Sequence, residues 1–305
     1  MGTLSPKIFE WLFRLARPEQ WIKNGLVIIP LVFAGEAGSV YKIERIIAAF
    51  VIFCLLSSSM YTINDLVDRD KDKIHPLKKS RPIASGKVSP TQAVVFASLL
   101  MAAGLAGAWL LGRSFFVIAG TFVLLNLAYS FALKNVVILD AMSIAFSFVL
   151  RTFAGAAAID VVASKWMLIN TFLLALFLVF GKRRHELVML DKIATAHRAI
   201  LGKYSSYLLD QLIAVTTPSV VVMYMLYSFS SEVSEKLGTE NLYLTIPFVV
   251  YGIFRYLYLI HKEDKGGSPT TVLFGDRPIL FTVILWMITV FVVLYTSPGN
   301  LSSPI

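Results

Sequence analysis

Residues 43–72 read IERIIAAFVIFCLLSSSMYTINDLVDRDKD. Past Glu44 and Arg45, the run to Tyr61 is apolar or hydroxylated on nearly every face, which suits lipid better than a soluble core. A hydrocarbon core of ~30 Å needs about 20 such residues in one helix. The run then passes directly into Asn64, Asp65, Asp68, Asp70 and Asp72. A membrane crossing that delivers carboxylates to the membrane edge is the pattern from which the rest of the chain can be read.

The whole composition agrees with that crossing. Of 305 residues, 57% are hydrophobic and 15% charged, whereas soluble domains carry roughly 25% charged residues. Disordered, collagen-like and disulfide-stapled classes fail on the same figures. Nine apolar runs are long enough to cross or nearly so: 21–34, 43–61, 91–111, 115–133, 139–159, 166–180, 209–229, 242–260 and 279–295. Backbone groups in lipid must pair internally, so these are expected to be helices. The expected fold is an all-α polytopic membrane bundle of about nine transmembrane helices. It forms a single domain over 1–305, with an interfacial segment at 1–20.

Charge sets the expected orientation. Of 28 basic residues, 21 flank one set of alternate loops, in the segments 7–23, 69–87, 134, 182–203 and 262–277. The opposite set holds five: Lys42, Arg45, Arg113, Lys165 and Lys236. The positive-inside rule places the N-terminus and the loops at 62–90 and 181–208 in the cytoplasm of a plasma membrane, and the C-terminus outside. No apolar core precedes Trp21, so no cleaved leader is expected. Trp11, Leu12, Phe13 and Leu15 alternate with Lys7, Arg14 and Arg17, as in an amphipathic helix lying in the interface. The net charge of +9 is explained by topology and anionic lipid. No nucleic-acid motif accompanies it, and nucleic acid is not an expected partner. One cysteine, Cys54, and four histidines without HxxxH spacing exclude a disulfide framework and a thiolate or imidazole metal site.

Asp65, Asp68 and Asp72 are spaced i, i+3, i+7, so a continuing helix brings all three to one face, with Asn64 at its edge. Three carboxylates at a membrane edge repel one another unless a cation lies between them. Oxygen-only ligands suit Mg²⁺, which keeps waters and bridges to substrate phosphates. The alternative is a solvated helix end balanced by Arg69, Lys71 and Lys73. The following loop, His75-Pro-Leu-Lys78-Lys79-Ser-Arg81-Pro-Ile-Ala-Ser-Gly86-Lys87, interleaves turn residues with cations. Lys79 and Arg81 beside a metal-bearing acidic face make a clamp for a diphosphate. An insertion-topology loop would explain these cations but not the acids among them.

NDxxDxxxD followed by HPxKxxRPIASG resembles the first motif of the UbiA-type intramembrane prenyltransferase superfamily. Within it, Arg17-Pro-Glu-Gln-Trp21-Ile-Lys23-Asn24, Gly181-Lys182-Arg183-Arg184-His185-Glu186-Leu187, Arg255-Tyr256-Leu-Tyr258 and Gly275-Asp276-Arg277-Pro278 resemble the decaprenyl-phosphate phosphoribosyltransferase branch. The resemblance covers nearly the whole chain. Many members of the superfamily carry a second DxxxD after the sixth span. Here Glu186 and Asp191 stand among Lys182, Arg183 and Arg184 instead, which weakens a second metal site and fits an extra phosphate. Tyr129 and Lys134, between the fourth and fifth spans, resemble a superfamily element linked to phosphate contact, although an interfacial tyrosine and lysine are also ordinary at helix ends.

The resemblance implies Mg²⁺-dependent transfer of 5-phosphoribose from phosphoribosyl pyrophosphate to a polyprenyl phosphate lipid, feeding cell-envelope polysaccharide synthesis. Asp65, Asp68 and Asp72 would hold the metal, with Arg81 as the catalytic cation. Lys23, Asn64, Lys79, Tyr129, Lys134, Lys182, Arg183, Glu186 and Asp191 would bind substrate. A second reading, prenyl transfer from a prenyl diphosphate to an aromatic acceptor, needs the same diphosphate site. A transporter would gather polar residues at the midplane, and here Arg151 is the main such case. It lies ~18 Å into its span at 1.5 Å per residue, where it needs a polar cavity or a partner, with Asn126 one candidate. Glycine-rich helix faces leave both packing within the chain and a homo-oligomer open.

Overall fold

Short polar side chains set where the long helices begin. Ser39 accepts from Lys42 N and opens α3 (Val40–Val67). Ser89 and Gln92 form a reciprocal capping box, with Pro90 in the first turn, at the start of α5 (Pro90–Leu111). Ser205 opens α9 (Ser206–Phe229), and Asp276 opens α13 (Arg277–Tyr295) by accepting from Ile279 N at 3.0 Å. Between α5 and α6 (Arg113–Phe131) the chain reverses at Gly112, whose φ of 140° admits no side chain comfortably. The remaining long helices are α7 (Leu139–Ala158), α8 (Lys165–Asp191) and α11 (Ile246–Lys262).

This architecture is that of a computed structural model, which describes residues 6–76, 78–191, 200–263 and 267–296. No strand occurs among them. Among the described residues, eight helices are long and apolar enough to cross a membrane: α3, α5, α6, α7, α8, α9, the 241–262 segment containing α11, and α13. The expected first span, 21–34, departs from a regular helix. It folds as a 3-10 helix, Pro18–Val27, followed by the short α2 (Ile29–Phe33). Pro30 cannot donate the next backbone hydrogen bond, which is the physical reason for the break. Even so, the segment passes from one face to the other. Arg17, at its start, reaches Asp65 near the end of α3. Beyond its end, Ala37 N donates to the hydroxyl of Tyr295, the last residue of α13.

The two faces are built differently. On one, Arg45 near the start of α3 ties off two helix ends, donating to Leu111 O of α5 at 2.8 Å and to Ala158 O of α7. On the other lie α1 (Pro6–Ala16), α4 (Arg69–Ile74), the turn after α6 and the ends of α8 and α11. The amphipathic reading of the N-terminus is expressed in α1: Ile8 and Leu15 pack on Ile83, Val88 and Ala93, while Phe9 and Phe13 face outward. Lys87 lies 3.8 Å from the Trp11 ring.

Two apolar cores hold the halves of the bundle. One joins α3, α5, α6 and α7 around Phe53, Leu56, Phe115 and Phe122; the other joins α7, α8, α9 and α11 around Phe177, Leu209, Ile213 and Leu259. Helix α7 belongs to both, so its polar residues stand at the centre of the molecule.

Candidate active site

Helix α3 carries Asp65 to the polar face, and α4 begins directly after Asp68, which caps both helices. Asp65 is buried and bound by two arginines, Arg17 Nη2 at 2.5 Å and Arg81 Nη1 at 2.9 Å. The same Arg81 nitrogen donates to Asp72 Oδ2 at 2.6 Å. Asp65 and Asp72 therefore converge on one positive nitrogen, while Asp68 turns to Lys134 Nζ at 2.7 Å. Arg17 reaches in from the joint between α1 and the 3-10 helix. There it adopts a left-handed backbone, φ 54° and ψ 60°, which costs a non-glycine residue of order 1–3 kcal/mol. Its guanidinium also covers the Tyr61 ring, 5.5 Å from the centroid.

Among the described residues no three carboxylates or imidazoles already surround a common point. Each expected metal ligand is instead matched by a protein cation. The donor set nevertheless fits a hard divalent ion. Two carboxylates share a single centre of positive charge, and the neighbouring amide oxygen, Asn64 Oδ1, is buried without any hydrogen-bond partner. A buried orphan acceptor beside paired carboxylates is what an oxygen-ligated cation would complete. Lys79 is exposed on the loop that carries Arg81.

The second polar cluster hangs from α8. Arg183 is almost wholly inaccessible, donating through Nε to Asp140 Oδ2 at 2.9 Å and through Nη1 to Glu186 Oε2 at 2.7 Å. Asp140, at the start of α7, also accepts from the Tyr204 hydroxyl at 2.7 Å. That hydroxyl in turn accepts from Ile138 N at 2.7 Å. Ile138, with φ 70°, is the second strained joint of this face. Burial, followed by the bond to Asp140, pushes the Tyr204 phenol above its ordinary range. Lys182 lies 3.8 Å from Glu186. Tyr129 is near enough to Arg183, and His75 to Glu186, to interact electrostatically. The two loops expected to carry the chemistry thus face each other. Asp191 closes α8, but its side chain, like Lys192 and Arg198, lies outside the described residues.

Arg151 points into the bundle as expected, and its partners are neutral. Nε donates to Asn24 Oδ1 at 2.8 Å, and Nη1 to Ser147 O at 2.8 Å and Ser147 Oγ at 3.1 Å. The guanidinium packs on the rings of Phe122 and Phe148. Asn126 bonds Ser147 Oγ at 3.2 Å rather than Arg151 itself. Two stretches singled out in the sequence form a clasp: Arg255 Nη2 bonds Asp276 Oδ2 at 2.8 Å, and Asp276 caps α13.

Sequence reasoning overlooked Asp140 and Tyr204 as parts of this site, and it placed Arg17 on this face without pairing it with Asp65. Asp140 was the most accessible of them, since a lone aspartate at the start of an apolar run calls for a partner. Nothing local pairs it with Arg183, 43 positions away.

The profile of the UbiA prenyltransferase family matches residues 26–275. The decaprenyl-phosphate phosphoribosyltransferase of Mycolicibacterium smegmatis is 33% identical over 299 residues, covering 94% of this chain and 93% of that protein. The protein of the same name from Mycobacterium tuberculosis H37Rv is 30% identical over 279 residues, covering 90% and 91%. Among solved structures, a UbiA homolog from Archaeoglobus fulgidus bound to GPP and Mg²⁺ superposes with a TM-score of 0.68. It is 18% identical, covering 93% of this chain and 99% of that one.

Proposed function

This chain belongs to the UbiA prenyltransferase family, and from that premise we propose that it transfers 5-phosphoribose from phosphoribosyl pyrophosphate to a polyprenyl phosphate. The bond broken joins C1 of the ribose to the diphosphate oxygen. The bond formed joins C1 to a phosphate oxygen of the lipid, and inorganic diphosphate leaves. The observation that carries this reading is the convergence of Asp65 and Asp72 on Arg81, together with the orphan buried oxygen of Asn64, the residue adjoining Asp65 in sequence. It stands alongside full-length similarity to decaprenyl-phosphate phosphoribosyltransferases.

The acceptor is already an anion, so no strong general base is needed. Loss of diphosphate from a carbon that becomes oxocarbenium-like is the demanding step. Mg²⁺, the ion bound by the Archaeoglobus fulgidus homolog, would supply positive charge to the leaving diphosphate. Asp65, Asp68, Asp72 and Asn64 are the residues that would hold it. Arg81 and Lys79 meet the negative charge growing on the leaving group, and Arg17 holds the Asp65 carboxylate in place. Lys134 fixes Asp68 and, with Tyr129, borders the donor. Lys182 and Glu186 orient the ribose side, positioned by the Arg183–Asp140 pair beneath them. Positioning and charge, rather than covalent catalysis, supply the acceleration. The polar face is the cytoplasmic one, where the water-soluble donor enters, and the lipid tail lies between helices.

The test uses purified protein in detergent with Mg²⁺ and ribose-labelled donor, with and without polyprenyl phosphate. A parallel arm supplies a labelled prenyl diphosphate and an aromatic acid. Label entering an organic-extractable lipid only with polyprenyl phosphate, and lost on chelation or in Asp65→Ala, is the expected result. Transfer in the parallel arm alone would overturn the substrate assignment and leave the diphosphate site intact.

A further inference from the structure

Arg151 is a permanent cation, 4% exposed, thirteen residues into a membrane-crossing helix. Its bonds run to an amide oxygen, a backbone carbonyl and two serine hydroxyls. No carboxylate pairs with it among the described residues. An intramembrane arginine without a counterion is expensive, and neutral acceptors recover only part of the lost hydration. The Nη2 nitrogen is the least satisfied, with one long contact of 3.4 Å to Ser57 Oγ.

The neighbouring cation shares the deficit. Asn24, fully buried, presents its oxygen to Arg151 and its nitrogen to Cys54 Sγ. Lys23 precedes Asn24 on the 3-10 helix and is partly buried. Glu19 is a nearby carboxylate, but it forms no ion pair with Lys23. Arg17 already serves Asp65. Of these three cations, Lys23 and Arg151 form no ion pair among the described residues. Their support is built for rigidity. Asn24 is held from α3 through Ser57 and Cys54, and Ser147 is held from α6 through Asn126.

We propose that Lys23 and Arg151 form a phosphate subsite inside the membrane that receives the head of the lipid acceptor, just below the site of the water-soluble diphosphate donor. This deepens the phosphoribosyl-transfer reading and rests on it for the acceptor's identity. A lipid phosphate can reach such a depth because its tail lies between the helices. The charge order then places an anionic nucleophile beneath the carbon it attacks. The donor's own phosphates offer the same chemistry, so the test separates the two sources.

The experiment compares wild type, Lys23→Gln and Arg151→Gln in nanodiscs. Binding of decaprenyl phosphate and of its dephosphorylated alcohol is read without turnover, alongside KM for each substrate. Wild type should prefer the phosphate form over the alcohol, and Lys23→Gln should erase most of that preference. Its KM for the lipid should rise at least ~10-fold, as expected when one partner of a buried charge contact is removed. KM for phosphoribosyl pyrophosphate should stay within about twofold in the same variant. Arg151→Lys, which keeps the charge, should restore part of what Arg151→Gln loses, and a misfolded Arg151→Gln leaves Lys23→Gln to decide. An unchanged lipid preference in Lys23→Gln overturns the subsite, and so does a rise in donor KM alone. Wild type that discriminates lipid phosphate from alcohol yet transfers no ribose would sink the reaction assignment and leave the subsite standing.

Discussion

Lys134 Nζ stands 2.7 Å from Asp68 Oδ1, with both side chains nearly withdrawn from solvent. The contact ties the turn after α6 to the acidic motif 66 residues earlier. Removing one partner of such a pair strands a buried charge at a cost of about 3–5 kcal/mol, whereas removing both costs much less. Lys134→Met and Asp68→Asn should therefore each lower the unfolding temperature in detergent. The double variant should lose less than the sum of the two. Strict additivity would show that the pair contributes no coupling, and that Lys134 does not fix Asp68.

Arg81 spans Asp65 and Asp72 through one nitrogen, at 2.9 and 2.6 Å. Lysine keeps the charge at this position but not the planar, preorganised fork. Arg81→Lys should raise KM for the ribosyl donor by ~10-fold or more and leave KM for the lipid nearly unchanged, consistent with roughly 1.5–3 kcal/mol for a charged hydrogen bond. Asp65→Asn should shift the Mg²⁺ concentration for half-maximal rate upward. Initial rates against Mg²⁺ decide this: the same half-saturation as wild type would remove Asp65 from the metal ligands.

Most of the crossings were legible from the length of their apolar runs, and the pairing of Asp65 with Asp72 from their i, i+7 spacing. Asp68 shares that spacing, but the helix breaks at it and its carboxylate goes to Lys134 instead. The partners of those residues were not legible. Arg17 reaches Asp65 only because its backbone turns left-handed before Pro18. Arg183 meets Asp140 across 43 positions, through the packing of α7 on α8. A cationic stretch such as Lys182–Arg184 reads as a uniform patch in sequence. In the fold its members diverge: Arg183 is sealed inside, Arg184 goes to Asp210 at 2.6 Å, and Lys182 stays half-exposed near Glu186. The break in the first crossing was signalled by Pro18, Gly25 and Pro30, but its apolar content outweighed them in a count of hydrophobic runs.

Tyr204 is the hinge of the second cluster, donating to Asp140 and accepting from Ile138 N, each at 2.7 Å. Its phenol is pushed above the ordinary value of 10.0 by burial and by the bond to Asp140. A folded-state value raised above the unfolded one stabilises the protein fully below pH 10.0. That contribution is lost progressively as pH climbs toward the folded value. Tyr204→Phe should cost about 2 kcal/mol near neutrality, since the hydroxyl serves a charged acceptor. It should also flatten the loss of stability on the alkaline side. Thermal unfolding from pH 8 to 11 checks both; an alkaline slope identical to that of wild type would assign the loss to other groups.

Gly155 on α7 lies against the carbonyl of Val27, so close that a Cβ placed there would be 2.1 Å from Val27 O. The obstacle is backbone, which cannot rotate away, so Gly155→Ala must push the 3-10 segment off α7. Overpacking of this kind costs typically 1–3 kcal/mol. Gly107→Ala is the control, because its added methyl meets only the Ile52 side chain, at 3.0 Å, which can yield. The displaced segment carries Lys23 and Asn24, whose oxygen holds Arg151. Gly155→Ala should therefore raise KM for the lipid acceptor more than KM for the donor, while Gly107→Ala leaves both near wild type. Equal effects on the two substrates would mean that the close approach serves only packing, and that the first crossing does not register the Lys23–Arg151 pair.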